Sequence, residues 1–187
     1  FMHRQAFELL PALLQALHVS EPYALIGHSD GGSIALLHAA RFPQRVSHAV
    51  VLAPHILVED LSVASIERAR VAYETTDLRQ RLARHHDDPE SAFRGWNDIW
   101  LDARFRGWNI GSEIGTIAAP LLAVQGLDDE YGTLAQIRGI RERLPRTQLL
   151  ELPACGHSPH RDQPERLIAE VGAFFQATRH NAQEIQP

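Results

Sequence analysis

The chain has 187 residues, 44% of them apolar and 22% charged, with a formal net charge of −5. That is enough for one domain with a substantial core. Its mild, interspersed acidity speaks against a nucleic-acid or anionic-membrane partner. No apolar run approaches the ~20 residues needed to cross a bilayer, no signal-peptide pattern opens the chain, and the single cysteine, Cys155, allows no internal disulfide, which fits a reducing, cytoplasmic setting.

In chain order, Phe7, Leu10, Leu14 and Leu17, with Leu9 and Leu13 beside them, predict an amphipathic helix over 3–18. Tyr23 to Ile26 reads as a short buried strand. An alanine-rich helix follows over 31–42 and ends at Pro43. His48 to Ala53 predicts a second strand. The stretch 59–110 then changes character: it lacks a strand signal and holds Trp96, Trp100 and Trp108, with helices expected over 60–84 and 89–101. Alternation resumes with a strand over Pro120 to Gln125, a helix over 133–144, a strand over Gln148 to Leu152 and a helix over 163–178. The end, 181–187, reads as a frayed tail. Strands alternating with helices predict an α/β fold with a parallel sheet covered on both faces. Ligands of such sheets bind beyond the carboxyl ends of the strands.

The most informative stretch is Gly27-His28-Ser29-Asp30-Gly31-Gly32. Ser29 lies in a G-x-S-x-G frame between a strand and a helix, the context of a nucleophile elbow. Gly27 and Gly31 are expected there because a Cβ would crowd the turn. A serine needs a base to take its proton and a third group to orient that base. Gln125-Gly126-Leu127-Asp128-Asp129 follows the third strand and Ala154-Cys155-Gly156-His157-Ser158-Pro159 follows the fourth. Serine, aspartate and histidine thus occur in the order expected of an elbow-bearing sheet. Asp128 competes with Asp129 for the acid, and His160 with His157 for the base.

These motifs resemble the α/β-hydrolase-fold serine hydrolases along almost the whole chain. The resemblance implies Ser29 as nucleophile, Asp129 as acid at the spacing Gly126-x-x-Asp129, and His157 as base. The Asp30 N–H becomes one oxyanion donor. It makes 1–58 and 111–180 the core, 59–110 a helical cap, and His28, His55, Trp96 and Trp100 candidates to line the pocket. The Ser-Asp-Gly-Gly elbow further resembles small esterases and amino-acid-ester hydrolases of the valacyclovir-hydrolase kind. The expected substrate is a small-molecule ester, with no cofactor and no metal; His85-His86-Asp87-Asp88 reads as a solvated helix end and Cys155 as a small buried residue. Hydrolysis of a C–C bond in a vinylogous diketone uses the same triad in this fold, and a non-catalytic binding module is the alternative outside enzymes.

The chain departs from the family ahead of the elbow. Only 28 residues precede Ser29, too few for the strands the family carries there. A partial sheet of about four strands is therefore expected, without the loop that gives the second oxyanion N–H. The elbow strand would keep an open edge, to be paired by a missing N-terminal segment, another polypeptide or a second copy of the chain.

Overall fold

The structure, a computed structural model, describes residues 1–183. Four apolar runs form the sheet: β1 (Tyr23–His28), β2 (Val46–Leu52), β3 (Leu121–Gly126) and β4 (Gln148–Leu152). They pair in parallel and in chain order, β1-β2-β3-β4. Each parallel pairing needs a crossover. Helix α3 (Asp30–Arg41) makes the first and α7 (Ala135–Arg143) the last. β3 is buried at every position because helices cover both of its faces. On one face Leu36 and Leu37 of α3 and Ile137 and Ile140 of α7 join Val51 and Ala123 in a single cluster. On the other, Leu167 and Phe174 of α9 (Pro164–Gln183) pack on Val50, Leu52, Leu122 and Val124.

Three expected helices differ in detail. The first is not a uniform helix over 3–18: α1 (Met2–Arg4) and α2 (Leu10–Ala16) are joined by a π-helical turn, Gln5–Leu9. Pro11 has no N–H, and its ring would collide with the carbonyl of Phe7, so the helix widens just ahead of it. Met2 and Ala6 are its buried residues, whereas Leu17, expected inside, is 63% exposed. The helix expected over 60–84 breaks into α4 (Asp60–Thr75) and α5 (Leu78–Leu82). Thr76 takes an extended backbone there, and the Thr75 and Thr76 hydroxyls donate back to the carbonyls of Val71 and Ala72, a local bonding that competes with helix continuation. The last expected helix is divided into α8 (Pro159–Asp162) and α9, which reaches Gln183; residues 184–187 of the expected tail lie outside the described residues.

The insertion between β2 and β3 otherwise follows the sequence. Helix α6 (Pro89–Leu101) starts at Pro89, and the Asp88 carboxylate accepts the Ser91 N–H at 3.0 Å, an N-cap that occupies the last residue of the His85–Asp88 run. A bridge between Leu57 and Asn109 brings the two ends of the insertion together. Among the described residues, no helix is long and apolar enough to cross a membrane.

Candidate active site

Ser29 follows the last residue of β1 and caps α3 with φ 55° and ψ −126°. This left-handed backbone is strained for a residue with a Cβ. The strain is held by close packing: a Cβ on Gly27 would run into the Gly31 carbonyl, and one on Gly32 would lie 3.1 Å from the Pro54 Cβ. Gly31 itself is a correction, since a Cβ there meets nothing within 4 Å; the crowded pair is Gly27 and Gly32. Ala53 (φ 46°), just past β2, and Ala154 (φ 51°), past β4, likewise have positive φ. The carboxyl edge of the sheet thus concentrates backbone strain at three strand ends, as functional sites do.

The same edge brings the separate motifs together. His157 Nε2 lies 2.9 Å from Ser29 Oγ. Its Nδ1 lies 2.9 and 3.0 Å from the two carboxylate oxygens of Asp129. A carboxylate only accepts, so Nδ1 carries the proton and Nε2 accepts from the Ser29 hydroxyl. The Asp129 side chain is fully buried and that of His157 is 12% exposed. Of the competing residues, Asp128 is exposed and lends its backbone N–H to Cys155, and His160 is exposed beside His28. Asp30 opens α3, so its N–H has no intrahelical acceptor.

Asp129 is held by two groups that the sequence reading passed over. The Tyr131 N–H donates to Oδ1 at 2.8 Å, and the Gln125 side-chain amide donates to Oδ2 at 2.6 Å and to the Gly132 carbonyl at 3.0 Å. Gln125 is the only polar residue in a strand of apolar ones and is 1% exposed. A lone buried amide next to Gly126 was the available signal. Gly126 permits the approach, because a Cβ there would meet the Cys155 carbonyl.

The sequence matches the alpha/beta hydrolase family over residues 3–171. The chain belongs to that family. Among curated proteins it is 24% identical, over 217 aligned positions, to the cis-3-alkyl-4-alkyloxetan-2-one decarboxylase of Shewanella oneidensis, with 95% of this chain and 67% of the relative covered. Among solved structures, a carboxylesterase of the ammonia-oxidizing thaumarchaeon Nitrososphaera gargenis superposes with a TM-score of 0.76 at 16% identity, covering 97% of this chain and 74% of that one. A bacterial membrane phospholipase A superposes with a TM-score of 0.70 at 23% identity, covering 95% and 64%. The chain thus spans about two thirds of the length of these alpha/beta hydrolase-fold relatives.

A cavity of about 220 Å³ opens on Ser29 and His157. All four expected pocket residues, His28, His55, Trp96 and Trp100, line it, together with Asp30 and Ile66. Its polar groups are unusual. The Trp100 indole N–H is shared by both Asp30 oxygens at 3.2 Å, and burial pushes the Asp30 carboxyl up to about 6, with Trp100 and His157 opposing. Burial also drives His55 down to about 4, assisted by the neighbouring His157, and its Nδ1 is buried without a hydrogen-bond partner. His55 is therefore neutral near pH 7. Cys155 is 1% exposed, belongs to the cluster under α9, and has its thiol pushed up to about 11 by burial, a small apolar filler rather than a nucleophile.

Proposed function

We propose that this chain is a serine hydrolase of small carboxylic esters or related acyl compounds, acting through an acyl-enzyme on Ser29. The observation that carries the reading is the continuous relay from Ser29 through His157 to Asp129 at the wall of a small cavity. Ser29 Oγ attacks the acyl carbon while His157 Nε2 takes its proton. The Asp30 N–H donates to the oxyanion, and Asp129 stabilises the imidazolium. Collapse breaks the bond to the leaving alkoxide, which receives the proton from Nε2. Water, deprotonated by the same nitrogen, then attacks the acyl-enzyme and releases the acid.

The cavity is smaller than the ~300 Å³ at which drug-sized ligand sites begin, which favours short acyl groups. The decarboxylase relative is named for a four-membered cyclic ester, so lactones belong among the candidates. Asp30 places a carboxylate at the wall with lone pairs that one indole N–H leaves unused. Acyl parts bearing an amine or hydroxyl would engage them.

A panel of p-nitrophenyl esters of graded chain length, with amino- and hydroxy-acyl esters, a β-lactone and a vinylogous diketone, tests the substrate class. Turnover should peak at short acyl chains. A fluorophosphonate probe should label the wild type and not Ser29→Ala. Absence of both labelling and turnover would leave a binding module as the reading.

A further inference from the structure

The nucleophile and its base belong to opposite edges of the described sheet. β1 and β4 have two strands between them and no ladder of their own. Something other than sheet pairing must hold Ser29 and His157 in register. Their own hydrogen bond cannot do so throughout a catalytic cycle, because Oγ has no proton to donate once it is acylated.

The loop bearing His157 is tethered at several points. Its N–H donates to Glu130 Oε2 at 3.3 Å, the Gly156 N–H donates to Asp162 at 2.9 Å, and the Asp128 N–H donates to the Cys155 carbonyl. Those partners come from the loop after β3 or from the chain just past His157. One tether comes from the nucleophile's own strand. His28, the last residue of β1 and the neighbour of Ser29, has its Nε2 2.7 Å from the His157 carbonyl oxygen. A carbonyl only accepts, so Nε2 carries the proton and donates. The bond spans 129 positions of sequence. The His28 ring stands 5.0 Å from that of His157 and 4.8 Å, edge-on, from that of His160.

We propose that His28 is a positioning residue: it clamps the backbone of the base to the strand that carries the nucleophile, and keeps His157 Nε2 within reach of Oγ in free and acylated enzyme alike. The inference rests on the hydrolase reading above. The donor is present in every intermediate, whereas the Ser29–His157 bond is not. Burial lowers the affinity of His28 for a second proton; the bond to the His157 carbonyl works against this, the charges of His157 and His160 reinforce it, and Asp129 opposes it. The clamp is therefore a neutral donor beside an imidazole that must become cationic.

The experiment compares wild type, His28→Leu and His28→Gln on p-nitrophenyl acetate, with Ser29→Ala as blank. The glutamine amide nitrogen reaches about as far as Nε2; leucine fills the space without donating. Displacement of a reacting group by about an ångström costs on the order of 100-fold, so His28→Leu should lose 10- to 100-fold in kcat with KM within about twofold. His28→Gln should recover to within about threefold of wild type. The far-downfield proton resonance of His157 Nδ1–H should shift or broaden in the leucine variant and return in the glutamine one. Full activity in His28→Leu, equal impairment in both variants, or a loss confined to KM would overturn the clamp. If the wild type neither labels nor turns over, the hydrolase reading has failed. The downfield resonance then still decides the clamp, which is refuted if leucine leaves that signal unchanged.

Discussion

Asp30 is stability given up at a single side chain. Its carboxyl is pushed from an ordinary 3.8 up to about 6, so the folded chain holds that proton more tightly than the unfolded chain. Below pH ~4 both states are protonated and nothing is lost; stability falls as pH rises from about 4 to about 6 and stays lower above it. The full shift corresponds to at most about 3 kcal/mol. Asp30→Asn should therefore raise the melting temperature at pH 8 by more than at pH 4, and a difference independent of pH would contradict the assignment. Gln125 acts in the opposite sense, donating to Asp129 from a buried position. Without that bond Asp129, and with it the His157 ring, is free to shift, and misplacing a reacting group by about an ångström costs on the order of 100-fold, so Gln125→Leu should lower kcat at least about tenfold, with steady-state kinetics as the check. Ser29, Asp129 and His157 were legible because each lies in a short motif just past an apolar run. The bonds made by Gln125 and His28 were not, because their acceptors are chosen by tertiary packing and, for His28, lie 129 residues away.

At the scale of elements, the elbow is a contact between backbones. Gly27→Ala forces a Cβ into the Gly31 carbonyl and should destabilise by 1–3 kcal/mol or more, the usual range for overpacking. Gly31→Ala enters open space in the first turn of α3 and should stabilise by about 0.5–1 kcal/mol through helix propensity. Chemical denaturation of the two variants separates them; equal effects would mean that the turn is not set by this contact. The sequence marks both glycines alike, and only the close approach of β1 to α3 tells them apart. The insertion is fastened to the acid's loop in a way no periodicity announces: the Ser62 and Ser65 hydroxyls of α4 donate to the carbonyls of Tyr131 and Glu130, while within the insertion the Asn97 amide of α6 donates to the Ile66 carbonyl of α4 at 2.9 Å. Helix existence was readable from the apolar spacing; the break at Thr76 was not, since it depends on hydroxyls turning back on their own helix.

For the whole molecule, β1 is the outer strand of the described sheet. Ile26 on it is 62% exposed, Ala24 is exposed on the same face, and a hollow of about 610 Å³ lined by Ala24, Ser47 and Gly172 opens there. Leu9, Leu13 and Leu17, four apart, form a second exposed apolar row at 50, 53 and 63%. An open strand edge flanked by apolar surface is a template for pairing, and we propose that a second copy takes it when this 187-residue chain is alone in solution. Sedimentation should show concentration-dependent association that Ile26→Lys weakens; a monomer at all concentrations would refute it. The open edge was foreseeable by counting strands, whereas of the leucine row only Leu17 was expected on the helix's apolar face, and it is exposed. The chain-order sheet has one further effect. Ser29, Asp129 and His157 sit at the ends of its first, third and fourth strands, so the relay spans the sheet's full width. If the hydrolase reading holds, sliding or splaying of β2 against β3 would part the hydroxyl from the imidazole, and turnover would then report on the sheet's integrity more sensitively than its circular dichroism.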